Sequence, residues 1–199
     1  MKNIVFDFWG TLAYLIPGSD FGEEISRLIG LEKAGFHELV KKHWFKREIS
    51  PEEFAQLLIN ETNSQANIKE LAYWIKNPLK RARLYDDVCL SLNRLNQDNR
   101  LYLVSDTSTI GKDIIDRVGI REYFQQVILS CKNGITKAEG LYYKFFRDAK
   151  LDLEETIVIG DSPVLDYDIP IHLGARAILI HREGELREYP TIKSLEEIE

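Results

Sequence analysis

Ile4-Val5-Phe6-Asp7-Phe8-Trp9-Gly10-Thr11-Leu12 is an apolar run that ends on a carboxylate and passes into a glycine turn. A short, unbroken apolar run fits a strand covered on both faces, as in parallel sheets. Asp7 then stands at the carboxyl end of that strand, the edge where open α/β sheets bind ligands. Further apolar runs at residues 4–8, 101–104, 127–129, 156–159 and 177–180 repeat the pattern. Between the later runs lie amphipathic segments of helical length at 109–118, 141–150 and 164–173, exemplified by Ile110, Ile114, Ile115 and Val118. Alternating strand and helix predict βαβ units and a doubly wound, Rossmann-like parallel sheet. Gly119 and Gly174 supply helix stops, and Ser194 with Glu197 forms a capping box for a short C-terminal helix.

The stretch from about Ala13 to Arg83 carries helix signals throughout and no convincing strand. Asp20 with Glu23 starts one helix that stops at Gly30, and Ser50-Pro51-Glu52-Glu53 combines a capping box with proline at the first helical position. Helices are expected at 21–29, 32–46, 51–62 and 67–76, ended by Asn77-Pro78. The expected organisation is a core of residues 1–13 and 84–199 interrupted by a small all-helical insertion, 14–83.

At 199 residues with 44% hydrophobic content, the chain has material for one domain plus a modest insertion. A net charge of −6 argues against a nucleic-acid surface, which needs concentrated Lys and Arg, but leaves room for a local basic pocket that takes a small anion. Cys89 and Cys131 form no short metal-ligand pair and suit a reducing, cytoplasmic setting. No run reaches the ~20 apolar residues of a membrane span. His37, His43, His172 and His181 have no metal-like spacing, and Trp44 with Phe45 suits the interior of the insertion.

Two more strand ends carry chemistry. Ser105 follows the run 101–104, and Gly160-Asp161-Ser162-Pro163-Val164-Leu165-Asp166 follows the run 156–159. Carboxylates from Asp7, Asp161 and Asp166 at one edge would repel one another unless a cation joined them, and hard oxygen donors favour Mg²⁺. Lys137, in Thr136-Lys137-Ala138-Glu139, is a further source of positive charge.

Taken in order, Asp7 through Thr11, Ser105, Lys137, and Gly160-Asp161 with Asp166 resemble the four motifs of the haloacid dehalogenase superfamily. The helical insertion after the first motif resembles that family's cap. The resemblance implies that Asp7 is a nucleophile forming a covalent aspartyl intermediate, that Thr11 and Ser105 hold the transferred group, and that Lys137 neutralises charge. It also implies Mg²⁺ on Asp7, the Trp9 backbone carbonyl and Asp161, with Asp166 supporting the metal or the lysine, and a small phosphorylated metabolite as substrate.

One position departs from the phosphatase pattern. The family's phosphatases carry a second aspartate two residues after the nucleophile, as general acid and base, and here Trp9 takes that place. Losing such proton transfer costs about 10²–10⁴ in rate. Asp106, next to Ser105, is the nearest substitute in sequence and a further substrate-binding candidate. Three readings stay open: a Mg²⁺-dependent phosphatase, a metal-independent hydrolase resembling the haloacid dehalogenases proper, and a weak or inactive relative kept for binding. Asp161 speaks against the second, because those dehalogenases lack it. Neither the substrate nor the oligomeric state is legible.

Overall fold

The central sheet runs in the order β5-β4-β1-β6-β7-β8, all parallel, in a computed structural model that describes residues 1–18, 20–183 and 188–198. Its strands are β1 (Asn3–Phe6), β4 (Arg100–Ser105), β5 (Gln126–Leu129), β6 (Thr156–Gly160), β7 (Arg176–Ile180) and β8 (Thr191–Ile192). The remaining two, β2 (Ala13–Leu15) and β3 (Ala82–Leu84), pair antiparallel apart from it. The doubly wound α/β class expected from the alternation of runs is thus the observed one.

The strand runs are apolar at every position because both sheet faces are covered. Ile4, Phe6, Leu101, Leu103, Ile157 and Ile159 point into one apolar cluster, with helices Val88–Asp98 and Thr109–Arg117. The alternate residues Val5, Tyr102, Val104 and Val158 point into a second, with helix Leu141–Ala149. A side-chain period of two across a sheet with two buried faces requires this division.

Topology then chooses the working edge. From β1 the chain builds outward through β4 to β5, and returns to β6 on the other side of β1. This reversal makes a crevice at the carboxyl ends of β1 and β6, where such sheets take ligands. In register, Phe6 lies opposite Leu103 and Ile159, so Asp7, Ser105 and Asp161 emerge side by side.

Between β2 and β3 the described residues form helices Phe21–Ile29, Lys33–Leu39, Pro51–Thr62, Ile68–Ile75 and Pro78–Arg81. The caps are those read from the sequence. Asp20 Oδ1 accepts from the N–H groups of Gly22 and Glu23 at 2.9 and 3.2 Å. Ser50 Oγ accepts from Glu53 N at 3.1 Å while Glu53 Oε2 accepts from Ser50 N at 2.7 Å.

Two expectations need correcting here. The stretch 13–83 does contain strand, because β2 and β3 enter and leave the helical segment as a ribbon too short to show a period of two. The helix expected over 32–46 turns into a π-helical stretch, Val40–Trp44, where Phe45 N donates to Val40 O at 2.9 Å. The wider turn lets Trp44 stack on Phe54, with centroids 4.4 Å apart and planes 19° apart, while Lys41 and Lys42 stay exposed. A second π stretch, Pro163–Asp168, replaces the first part of the helix expected over 164–173.

Residues of the inserted helices, including Ile25, Phe36, Phe54, Leu58 and Leu71, join the same apolar cluster as Phe8 and Leu12. Phe54 is fully buried within it. Phe54→Ala should therefore cost about 3–5 kcal/mol, which thermal unfolding would register as a fall in Tm of about 2–4 °C for each kcal/mol in a chain of this size. A shift below about 2 °C would show that Phe54 is not part of a close-packed core.

Candidate active site

Asp7 leaves β1 with its backbone tied to the neighbouring strand, since Asp7 N donates to Ile159 O at 2.9 Å. The turn that follows closes on itself through Leu12 N and Ala13 N, both donating to Phe8 O at 2.9 Å. Gly10 sits at φ +73°, and a Cβ there would lie 2.0 Å from Asp161 Oδ2. A Cβ on Gly160 would meet Asp166 Cγ at 2.3 Å. Only glycine at these two positions lets the first and last acidic turns approach so closely.

The result is a dense charge cluster. Carboxylate oxygens of Asp7, Asp161 and Asp166 lie within 4.8 Å of one another, the first and last buried and Asp161 exposed at the opening. The Lys137 ammonium donates to Asp7 Oδ1 and, at 2.7 Å, to Asp166 Oδ1. Asp166 is held further by the Tyr142 hydroxyl at 2.9 Å and by Ser162 N at 3.1 Å. Among the described residues, Lys137 is the cation paired with two of these acids, Asp7 and Asp166.

Three carboxylates around one ammonium leave a deficit of positive charge. Burial, followed by the charges of Asp166 and Asp161, outweighs the pull of Lys137 and pushes the Asp7 carboxyl up to about 7. Asp161 is also raised, by burial first and then by Asp166. Burial disfavours the Lys137 ammonium, but the charge of Asp7 leads the effects that hold it well above the ordinary lysine value. A donor set of hard oxygens with excess negative charge fits a divalent cation such as Mg²⁺.

Thr11 and Ser105 are fully buried, and among the described residues neither hydroxyl has a hydrogen-bond partner. Buried polar atoms are normally paired, so these two mark a place for a polar ligand group. Asp106, considered from the sequence as a substrate-binding residue, makes a backbone contact. Both its oxygens accept from the Lys137 backbone N–H, at 2.9 and 3.2 Å, so it orients the segment that carries the lysine. The Trp9 indole N–H donates to Thr107 Oγ1 at 3.3 Å.

The structure therefore brings Asp7, Lys137, Asp161 and Asp166 together. Thr11 and Ser105 belong to the same edge, with Asp106 behind Lys137. Sequence reasoning missed Tyr142, whose hydroxyl orients Asp166, and Arg182, whose Nη2 donates to Thr11 O at 2.7 Å. Tyr142 lies in an aromatic helix face that reads as plain core, and Arg182 lies far along the chain in a loop. Neither carries a local signal.

A family model for haloacid dehalogenase-like hydrolases matches residues 1–171, and the chain belongs to that family. No curated protein matches the chain. Solved structures of similar fold include a phosphatase of the family from Thermococcus onnurineus, at 18% identity and TM-score 0.67 over 100% of this chain and 96% of that one. A family enzyme from Bacteroides thetaiotaomicron, in complex with magnesium and inorganic phosphate, is similar at 20% identity and TM-score 0.69, over 94% and 98%. A 2-haloacid dehalogenase from Pseudomonas syringae is similar at 16% identity and TM-score 0.66, over 98% and 95%. Identities this low establish a shared fold. Among the described residues, no helix is long and apolar enough to cross a membrane.

In protein stripped of divalent cations, the raised Asp7 carboxyl binds an extra proton in the folded state between its ordinary 3.8 and about 7. Stability should fall as pH rises through that window. Asp7→Asn removes the penalty, so in chelator at neutral pH it should unfold at a higher temperature than the parent and show a flatter dependence of Tm on pH. Equal pH slopes for the two proteins would refute this account of the cluster.

Proposed function

We propose that the chain is a Mg²⁺-dependent hydrolase of small phosphate monoesters, with Asp7 as nucleophile. The observation that carries the reading is the approach of Asp161 and Asp166 to Asp7 around a single lysine, an arrangement whose charge balance suits a cation and an anionic substrate. Mg²⁺ would be held by Asp7, Asp161 and the Trp9 carbonyl with Asp166 in support, and it supplies Lewis-acid polarisation and screening of the substrate's negative charge.

The chain's own residues then divide the work. Lys137 engages Asp7 Oδ1, which favours the charged form of the carboxylate and orients it for attack. Thr11 and Ser105 present buried hydroxyls that bind non-bridging phosphoryl oxygens, a use that satisfies both. An Asp7 oxygen forms a bond to phosphorus as the ester P–O bond breaks, giving an aspartyl phosphate and the departing alcohol or phenol. Water then attacks the same phosphorus, the Asp7–phosphorus bond breaks, and inorganic phosphate leaves. Asp106 and Tyr142 serve through Lys137 and Asp166, by holding the backbone of one and the carboxylate of the other. Residues 14–83, which take in most of the β2–β3 ribbon and the helices between its strands, act as the cap over the 1–13 and 84–199 core and select the substrate.

Trp9 stands where the family's phosphatases hold a proton donor. It favours a second reading, a metal-independent dehalogenase, and Asp161 tells against it. A carboxylate kept beside Asp7 without a cation would oppose ionisation of the nucleophile.

An assay of phosphate release from an aryl phosphate, with Mg²⁺ and with chelator, tests the main reading. Release should require Mg²⁺ and fall by about 10³ or more in Asp7→Asn and in Lys137→Met. Chelator-resistant halide release from a 2-haloacid would instead establish the second reading, and no turnover of either would leave a binding protein.

Trp9→Asp restores a proton donor, so it should raise the rate on alkyl phosphates by about tenfold or more while changing aryl phosphates little. An unchanged or lower alkyl rate in a variant with the parent's Tm would exclude the missing proton shuttle as the bottleneck.

A further inference from the structure

Beside the catalytic edge lies a cavity of about 230 Å³ whose walls come from both the core and the inserted helices. Its core side is Trp9 and the turn Thr107–Ser108, two residues beyond Asp7 and two to three beyond Ser105. Its opposite side is Phe21, Phe36, Trp44 and Phe45. Phe36 and Trp44 are buried, whereas Phe21 and Phe45 are half-exposed, and His37 stands exposed at the rim. The few polar groups of the core wall are largely engaged, since Thr107 Oγ1 accepts from the Trp9 indole.

An apolar cavity of about 150 Å³ is large enough to take benzene. One of 230 Å³ therefore takes a single substituted aromatic ring. A sugar or polyol would lose its water-facing hydrogen bonds against these walls, at a cost that the lining does not return. Aromatic walls, by contrast, hold a flat ring by burial and by offset or edge-on stacking.

A second observation is chemical and independent of the cavity. Trp9 cannot protonate a departing oxygen, so a substrate hydrolysed at a useful rate must carry a leaving group that departs as an anion. A phenol does so far more readily than an aliphatic alcohol, because its anion is delocalised into the ring. The residue that removes the proton donor is also the wall of the ring-sized cavity.

From these two features we infer that the substrate is an aryl phosphate monoester, its single aromatic ring seated between Trp9 and the Phe21, Phe36, Trp44 and Phe45 wall. This rests on the phosphatase reading above. Asp7 takes the phosphoryl group, the aryl P–O bond breaks, and the electron pair leaves on the phenolate, which gains its proton from water.

The test uses the full chain with Mg²⁺ and three substrates. Phenyl phosphate has the ring and a stable leaving group, acetyl phosphate has a stable leaving group without a ring, and glycerol 3-phosphate has neither. Phenyl phosphate should exceed glycerol 3-phosphate in kcat/KM by about 10² or more, and should have a lower KM than acetyl phosphate. Phe45→Ala, which opens the cavity, and Val40→Phe, which fills it, should each raise KM for phenyl phosphate about tenfold. KM for acetyl phosphate should change by a much smaller factor, and a Tm equal to the parent's reports that the variants are folded. If the variants impair both substrates alike, or phenyl phosphate shows no advantage in KM, the aryl assignment is overturned while the phosphatase reading stands. If none of the three is hydrolysed in an Asp7-dependent way, the phosphatase reading falls. Calorimetry of phenol binding to Asp7→Asn then decides the cavity alone: binding lost in Val40→Phe supports a ring site, and no binding removes it.

Discussion

Everything at the carboxyl edge of the sheet answers to one electrostatic constraint, the packing of three carboxylates against a single buried ammonium. Buried ions are costly unless each is paired and hydrogen-bonded, and removing one partner usually costs more than the pair contributes. The fold meets this demand in layers. Tyr142 and Ser162 N bind Asp166, the Lys137 ammonium bridges Asp166 and Asp7, and Asp106 fixes the Lys137 backbone. What these contacts leave is a negative excess on the side where Asp161 meets solvent. The arrangement is thus less stable than it would be with neutral residues, and that residual charge is what a cation and a reacting phosphoryl group would use.

Holding the cluster requires rigidity in the turn after β1, and the far end of the chain provides it. Arg182, beyond β7, donates to Thr11 O at 2.7 Å and to Asp87 Oδ2 at 2.6 Å, and its guanidinium lies 4.1 Å from the Tyr85 ring centroid. Burial opposes ionisation of Asp87, but Arg182, Leu195 N–H and the Ser194 hydroxyl together hold its carboxyl below the usual range. One planar cation therefore ties the turn after Asp7 to the segment that follows β3, where the chain returns to the core. A planar guanidinium suits this task because it binds and stacks at once, which a lysine would not do. The link also joins the residues that follow the inserted helices to the turn after Asp7, so motion of one strains the other.

The sheet was legible because its strands are uninterrupted apolar runs, a pattern that covered parallel strands impose. Asp7, Ser105 and Asp161 were legible for the same reason, each being the first polar residue past such a run or the second. What escaped was set by tertiary contacts. The β2–β3 ribbon has three residues in each strand, too few for periodicity to declare itself. The π turn at Val40–Trp44 depends on Trp44 finding Phe54, a partner ten residues on. Trp44 was expected to serve only the interior of the insertion, and it does stack there, yet its ring also lines the cavity that faces the core. Asp106 shows the same limit, since nothing in its sequence neighbourhood announces the Lys137 amide as a partner.

Trp9 gives the site its individual character. A carboxylic acid at that position would act in the transition state and lower the barrier for any leaving group, however poor. An indole contributes apolar surface instead, and surface that contacts a substrate equally in the bound state and the transition state lowers KM without raising kcat. On the proposed reading, the exchange would move selectivity from catalytic assistance to recognition of the departing group. The indole N–H is bonded to Thr107 across the turn, a contact that holds this flat surface in place.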